Sequence, residues 1–230
     1  MTDRSSHEPP RTIKAVAFDL DGLMFNTEDV YTAVGTELLR RRGREFTSEL
    51  KYEMMGLRPQ PTFETMIRYC KLEETWEPLA AESNELFMSI LDDFLAPMPG
   101  LLKLLDALEQ AGFPKAIGTS SSRQLVDACL RPFDLQRRFQ FILAAEDIVN
   151  GKPHPEIYLK AAECFATPPG EMVVLEDSQN GCMAAAAAGT FAVAVPGEHS
   201  QDHDFSTASL VLDSLADPRL YHVLGIVPTC

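Results

Sequence analysis

No apolar stretch of the sequence is long enough to span a bilayer, which excludes a transmembrane helix. Even the alanine run at 184–188 is too short, and it ends at Gly189 as a tightly packed helix would. Cations are scarce as well: 20 Lys and Arg stand against 34 Asp and Glu, a formal net charge of -14. That balance argues against nucleic acid or an anionic membrane surface as the main partner. It leaves room for a small anionic substrate, because a local cation can override the global field. The five cysteines (Cys70, Cys129, Cys164, Cys182 and Cys230) are odd in number and widely spaced, with no C-x-x-C pair. Neither a disulfide framework nor a zinc site is therefore expected, and reduced thiols in a cytoplasmic protein are the simpler reading. Residues 1–12 lack the apolar segment of a secretion signal; they are polar, contain Pro9 and Pro10, and are expected to form a flexible tail. There is no internal repeat, and no low-complexity segment beyond the alanines.

What the sequence does contain is an alternation. Apolar, strand-like runs occur at 15–18, 115–118, 141–144, 172–175, 191–195 and 209–212, with helix-like stretches at 100–111, 122–130, 155–165 and 180–188. Strands alternating with helices of that length indicate βαβ units and a parallel sheet. The right-handed crossover rule then makes a three-layer α/β sandwich with a Rossmann-like parallel sheet the expected fold. Residues 27–96 depart from this. They show helical periodicity (Val30, Val34, Leu38; then Met66, Ile67, Tyr69, Cys70) and no convincing strand. So long a helical span is too much for one crossover and reads as an inserted α-helical subdomain, the chain returning near Pro97-Met98-Pro99-Gly100. The expected organisation is a tail at 1–12, a core at 13–26 and 97–230, and a helical insertion at 27–96. The basic cluster Arg40, Arg41, Arg42 and Arg44 around Gly43 reads as the stop of a helix.

The most informative placement is Asp19-Leu20-Asp21-Gly22, directly after the apolar run Ala15-Val16-Ala17-Phe18. A buried parallel strand would deliver these carboxylates to the carboxyl edge of the sheet, where ligands bind in open α/β folds. In an extended segment Asp19 and Asp21 point the same way, and two acids so close require a proton, a cation or a lysine between them. Three later stations lie near other strand ends. Ile117-Gly118-Thr119-Ser120-Ser121-Ser122 offers small hydroxyls and backbone N–H groups that suit a phosphate, or equally a plain helix cap. In Gly151-Lys152-Pro153-His154-Pro155 the prolines stiffen a loop from which Lys152 can reach inward. Val173-Val174-Leu175-Glu176-Asp177-Ser178 repeats the opening logic, an apolar strand ending in acids. Oxygen ligands of this kind are what Mg²⁺ prefers.

The ordered set Asp19-x-Asp21-Gly22, Thr119, Lys152 and Glu176-Asp177 resembles the haloacid dehalogenase-like superfamily of phosphotransferases. It looks most like the β-phosphoglucomutase-like branch, with a helical cap inserted after the first strand. Phe18-Asp19-Leu20-Asp21-Gly22, Gly151-Lys152-Pro153-x-Pro155 and Glu176-Asp177-Ser178-x-x-Gly181 carry that likeness, which extends from Ile13 to about Leu224. Val195-Pro196, Ser200, Asp202 and the segment 210–215 also look like the pseudouridine-5′-phosphatase type. The resemblance implies Asp19 as nucleophile, forming an aspartyl-phosphate, and Asp21 as general acid and then base. It implies Mg²⁺ held by Asp19, the main-chain carbonyl of Asp21, Asp177 and Glu176. Thr119 and Ser120 would hold phosphoryl oxygens, with Ser121 beside them, and Lys152 would balance charge. Glu28, Gly56 and Arg58 would be the cap's contacts to the leaving group. Many relatives carry Asp where this chain has Asn26; Asn26 can still cap the first cap helix.

The resulting expectation is a Mg²⁺-dependent phosphatase acting on a small phosphorylated metabolite, a sugar phosphate or a nucleoside or pseudouridine monophosphate. The protein would be a monomer or weak dimer. A sugar phosphomutase would share the aspartyl-phosphate and pass it to a second hydroxyl, with Arg58 as the feature that could favour it. A dehalogenase would not need Asp21, since it protonates no alkoxide. A non-catalytic phosphometabolite sensor would be expected to lack one of Asp19, Asp21, Lys152 or Asp177, and all four are present.

Overall fold

A computed structural model describes residues 12–54 and 59–226. Six strands, β1 (Ala15–Phe18), β2 (Lys115–Gly118), β3 (Phe141–Leu143), β4 (Met172–Glu176), β5 (Phe191–Ala194) and β6 (Leu210–Val211), form one sheet. Its order is β3-β2-β1-β4-β5-β6, and every pairing is parallel. The chain runs outward from β1 in both directions, so the order reverses between β1 and β4, the place where open α/β sheets bind ligands. Among the described residues the helices are α1 (Thr27–Arg40), α2 (Ser48–Met54), α3 (Pro59–Cys70), α4 (Trp76–Phe94) and α5 (Leu101–Gln110). They continue with α6 (Arg123–Leu130), α7 (Glu156–Cys164), α8 (Gln179–Ala187) and α9 (Pro218–Leu224). None of them is long and apolar enough to cross a membrane.

The chain divides into two compact units, one built from residues up to Phe25 and from Pro97 onward, the other from Asn26–Ala96. In the first, Ala15 and Ala17 of β1 and Met172 and Val174 of β4 pack with Tyr158, Ala161, Ala184 and Ala185 of α7 and α8. The alternate residues Val16, Phe18, Val173 and Leu175 are equally buried. Because successive strand residues face opposite sides, the sheet is covered on both faces, which makes three layers. The alanines of α8 are what let that helix lie close on the sheet. It ends at Gly189 (φ +77°), with Thr190 N–H donating to Ala185 O and Gly189 N–H to Ala186 O, a left-handed glycine stop.

In the helical unit, α1 buries Val30, Val34, Leu38 and Leu39, and α4 buries Leu79, Leu86, Phe87 and Leu91. Gly35 sits in mid-helix because a Cβ there would lie 2.9 Å from the Phe46 ring. The arginine cluster ends α1: Gly43 (φ +64°) donates to Arg40 O while Arg44 N–H donates to Leu39 O. Its side chains are held by acids, Arg42 by Glu74 and Glu82 and Arg41 by Glu37 and Glu82.

Three expectations need correction. The last strand is two residues, not four, because only Val193↔Leu210 and Ala194↔Val211 pair at that sheet edge. Helix α9 was absent from the expected alternation although Asp217 caps it and Gly225 ends it. Asn26 precedes α1 but its side chain makes no capping bond. Instead its Nδ2 donates to Asp29 Oδ2 and to Phe94 O, both at 3.1 Å, and its Oδ1 accepts from Ala96 N–H at 2.6 Å.

Candidate active site

Strand register assembles the centre of the site. Phe18 stands level with Ile117 and with Leu175, so the next residues along, Asp19, Gly118 and Glu176, emerge side by side at the carboxyl edge. The segment 149–156 closes on itself before α7: the Glu156 carboxylate accepts from Val149 N–H at 2.7 Å and from Asn150 N–H at 2.9 Å. Lys152 reaches inward from that loop. Its Nζ donates to Asp19 Oδ1 at 2.5 Å, Glu176 Oε1 at 2.6 Å and Gly118 O at 3.0 Å. All three ammonium protons are thereby used, on side chains that are almost wholly buried.

Burial opposes a charge on Lys152, but the Asp19 and Glu176 carboxylates outweigh it and hold the ammonium well above its ordinary range. Asp19 is pushed up to about 8, chiefly by burial, with repulsion from Glu176 and Asp21 adding and Lys152 opposing. One lysine does not neutralise this group of acids, and a further positive charge is required for all of them to ionise.

A divalent cation fits. Asp19, Glu176 and Asp177 each present an oxygen within 4.8 Å of the others, an all-oxygen set of the kind hard cations take. Room for it is built into the backbone. A Cβ on Gly22 (φ +74°) would lie 2.3 Å from Asp177 Oδ2, and one on Gly181 would lie 1.9 Å from the Glu176 carboxylate. Only glycine at both positions lets the two acids come so close to the chain.

Asp21 is held differently. Its Oδ2 accepts from Ser121 Oγ at 2.6 Å and from Thr119 Oγ1 at 3.2 Å, while its Oδ1 is buried with no hydrogen-bond partner among the described residues. The hydroxyl-rich loop divides its work. Ser122 Oγ caps α6 by accepting from Leu125 N–H at 3.3 Å, and Glu146 takes Arg123 N–H with both oxygens. The first turn of α6 is thus occupied by protein groups, leaving Thr119, Ser120 and Ser121 on the strand side of the loop. Ser120 is exposed there.

The structure thus brings together Asp19, Asp21, Thr119, Ser121, Lys152, Glu176 and Asp177. Glu28 lies in the first turn of α1, in the helical unit, and Gly56 and Arg58 lie outside the described residues. Sequence reasoning missed Tyr158, whose hydroxyl donates to Glu176 Oε1 at 2.5 Å, and Ser178, whose Oγ donates to Glu176 Oε2 at 3.1 Å. Ser178 was legible as the N-cap of α8, where it also accepts from Gly181 N–H. Nothing marked Tyr158, since an aromatic on an amphipathic helix reads as core.

Residues 16–195 match the family model described as haloacid dehalogenase-like hydrolase. The chain is 34% identical over 217 residues to a protein named probable pseudouridine-5′-phosphatase from Drosophila melanogaster, covering 90% of this chain and 92% of that one. It is 28% identical over 230 residues to hexitol phosphatase B of Escherichia coli strain K12, covering 94% and 99%. Among solved structures, CbbY from Rhodobacter sphaeroides in complex with phosphate matches with a TM-score of 0.77 at 27% identity, over 90% of this chain and 96% of that one. The matched span runs from the strand that delivers Asp19 to the one beyond Glu176 and Asp177, and on that basis the chain belongs to the haloacid dehalogenase-like hydrolases.

Proposed function

We propose that the protein is a Mg²⁺-dependent phosphatase that hydrolyses a small phosphomonoester, a sugar phosphate or a nucleoside or pseudouridine monophosphate, through an aspartyl-phosphate on Asp19. The observation that carries this reading is the separation of two carboxylates. Asp19 is tied to Lys152, whereas Asp21, two residues on, rests on hydroxyls alone. A nucleophile must stay ionised and aimed; an acid that gives up and regains a proton must not be locked to a cation.

In the first step a carboxylate oxygen of Asp19 forms a bond to phosphorus as the ester P–O bond breaks. The departing alkoxide takes a proton from the Asp21 carboxyl. In the second step Asp21, now a carboxylate, takes a proton from a water whose oxygen attacks phosphorus. The acyl-phosphate bond breaks, and Asp19 and inorganic phosphate are released. Lys152 keeps Asp19 oriented and offsets charge as the phosphoryl group arrives, and Thr119 and Ser120 hold phosphoryl oxygens. Mg²⁺, for which Asp19, Glu176, Asp177 and the Asp21 carbonyl are the proposed ligands, would supply charge neutralisation between carboxylate and phosphoryl oxygens. The relatives named as phosphatases support the reaction class. Leaving-group specificity is assigned to the helical unit, with Glu28 as its candidate.

The test is release of inorganic phosphate from a panel of sugar, nucleotide and pseudouridine monophosphates, with Mg²⁺ and with chelator, sugar isomers being followed alongside. Mg²⁺-dependent release confined to a few esters is the expected result; isomer interconversion without release would make the protein a mutase. Asp19→Asn should abolish turnover with the fold intact by circular dichroism, and substantial residual release would remove Asp19 as nucleophile.

A further inference from the structure

Tyr158 does no chemistry in this mechanism, yet its hydroxyl is placed at the mechanism's base. The ring is fully buried among alanines and Val174 of the α7–α8 face of the sheet, and a Cβ on Gly118 would lie 3.4 Å from it. Phenylalanine would supply the same packing without burying a polar atom. The hydroxyl instead donates to Glu176 Oε1 at 2.5 Å, the oxygen that also receives Lys152 Nζ at 2.6 Å. Lys152 Nζ in turn stands 5.1 Å from the centre of the Tyr158 ring.

Glu176 is therefore gripped from every side: Lys152 and Tyr158 on Oε1, Ser178 on Oε2, and the bare Gly181 backbone against the carboxylate. Without the phenol, Lys152 would be the only donor on Oε1. The carboxylate would then be held only by Lys152 on one oxygen and Ser178 on the other, less firmly fixed against turning and drawing the ammonium away from Asp19. We infer that Tyr158 is a positioning residue for the metal centre: its hydroxyl fixes the Glu176 carboxylate in the orientation that faces Asp19 and Asp177. The inference rests on the Mg²⁺-dependent reading above.

Tyr158→Phe keeps the ring and removes only the donor. Groups that orient a metal ligand cost roughly 10–100-fold in metal affinity when removed, so the variant should bind Mg²⁺ at least about tenfold more weakly by calorimetry on the substrate-free protein. The Mg²⁺ concentration for half-maximal activity should rise in parallel, while KM for the ester at saturating Mg²⁺ stays close to that of the wild type. An unchanged Mg²⁺ affinity in a folded variant, even one that melts earlier, would overturn the role and leave Tyr158 as packing. A wild type that binds no Mg²⁺ would remove the metal reading and this one with it. If the variant does not fold, fluorine NMR of the wild type labelled with 3-fluorotyrosine decides. The Tyr158 signal, identified by replacing the other four tyrosines with Phe in turn, should shift when Mg²⁺ is added; a signal unmoved at saturation would overturn the role.

Discussion

Asn26 shows how much one side-chain atom can decide. Its amide donates twice and accepts once, joining Asp29, Phe94 O and Ala96 N–H where the helical unit begins and ends. Aspartate would keep the acceptor but set a carboxylate oxygen against two other acceptors. Asn26→Asp should therefore destabilise the protein by about 1–3 kcal/mol, read as an earlier midpoint in urea; an unchanged midpoint would show these bonds to be dispensable. A residue placed before a helix reads as a cap, and the local sequence around Asn26 supports only that. The partners that claim it lie 68 and 70 positions away. Tyr158 was hidden for the same reason, being 18 residues from Glu176. Asp19, Lys152 and Glu176 were legible because acids after an apolar strand, and a lysine leading into a loop with two prolines, are locally out of character.

Elements repeat the lesson at larger spacing. The helices α5 to α8 fall within a residue or two of the sequence reading: α5, α6 and α7 each carry an apolar stripe long enough to show its period, and α8 is marked instead by its alanine run and the glycine that ends it. Helix α9, at seven residues, is too short to show one. What closes α5 onto the sheet was also invisible. Glu109 in its last turn holds Lys115, the buried first residue of β2, at 2.8 Å. Arg138 bonds the same carboxylate through Nε and Nη2. Bonding to Arg138, with help from Lys115, lowers Glu109 from an ordinary 4.5 to about 2. A carboxylate lowered in the folded state contributes stability that is present above its unfolded pKa and lost as the pH falls through its folded one. Glu109→Gln should therefore melt earlier than wild type at pH 7, with a gap that holds down to about pH 4.5 and closes toward pH 2. Thermal midpoints across that range check it, and a gap independent of pH would mean the ion pair is not its source.

For the molecule as a whole, burial divides the thiols. Cys70, Cys129 and Cys182 are buried and Cys164, at the end of α7, is exposed. Burial pushes Cys129 up to about 12, and Cys182 is raised further by burial and by Glu176. In a Cys230→Ser background, which removes the cysteine outside the described residues, a thiol reagent should label Cys164 in the native protein. The other three should label only in denaturant. Native labelling of Cys182, which lies in α8 above the acids, would reveal an opening of the core there.

The sheet's order has a last consequence, in time rather than space. β1 leaves the ribosome before any of its neighbours, and its pairing partners begin at Lys115 and Met172. Asn26–Ala96 is contiguous and can close as soon as it is made. The strand that carries Asp19 must meanwhile wait with both edges bare until β2 is made, and with one edge bare until β4 follows. A pause in synthesis between β2 and β4 would prolong that wait, exposing the bare edge of a wholly apolar strand to whatever chaperones or other nascent chains are nearby.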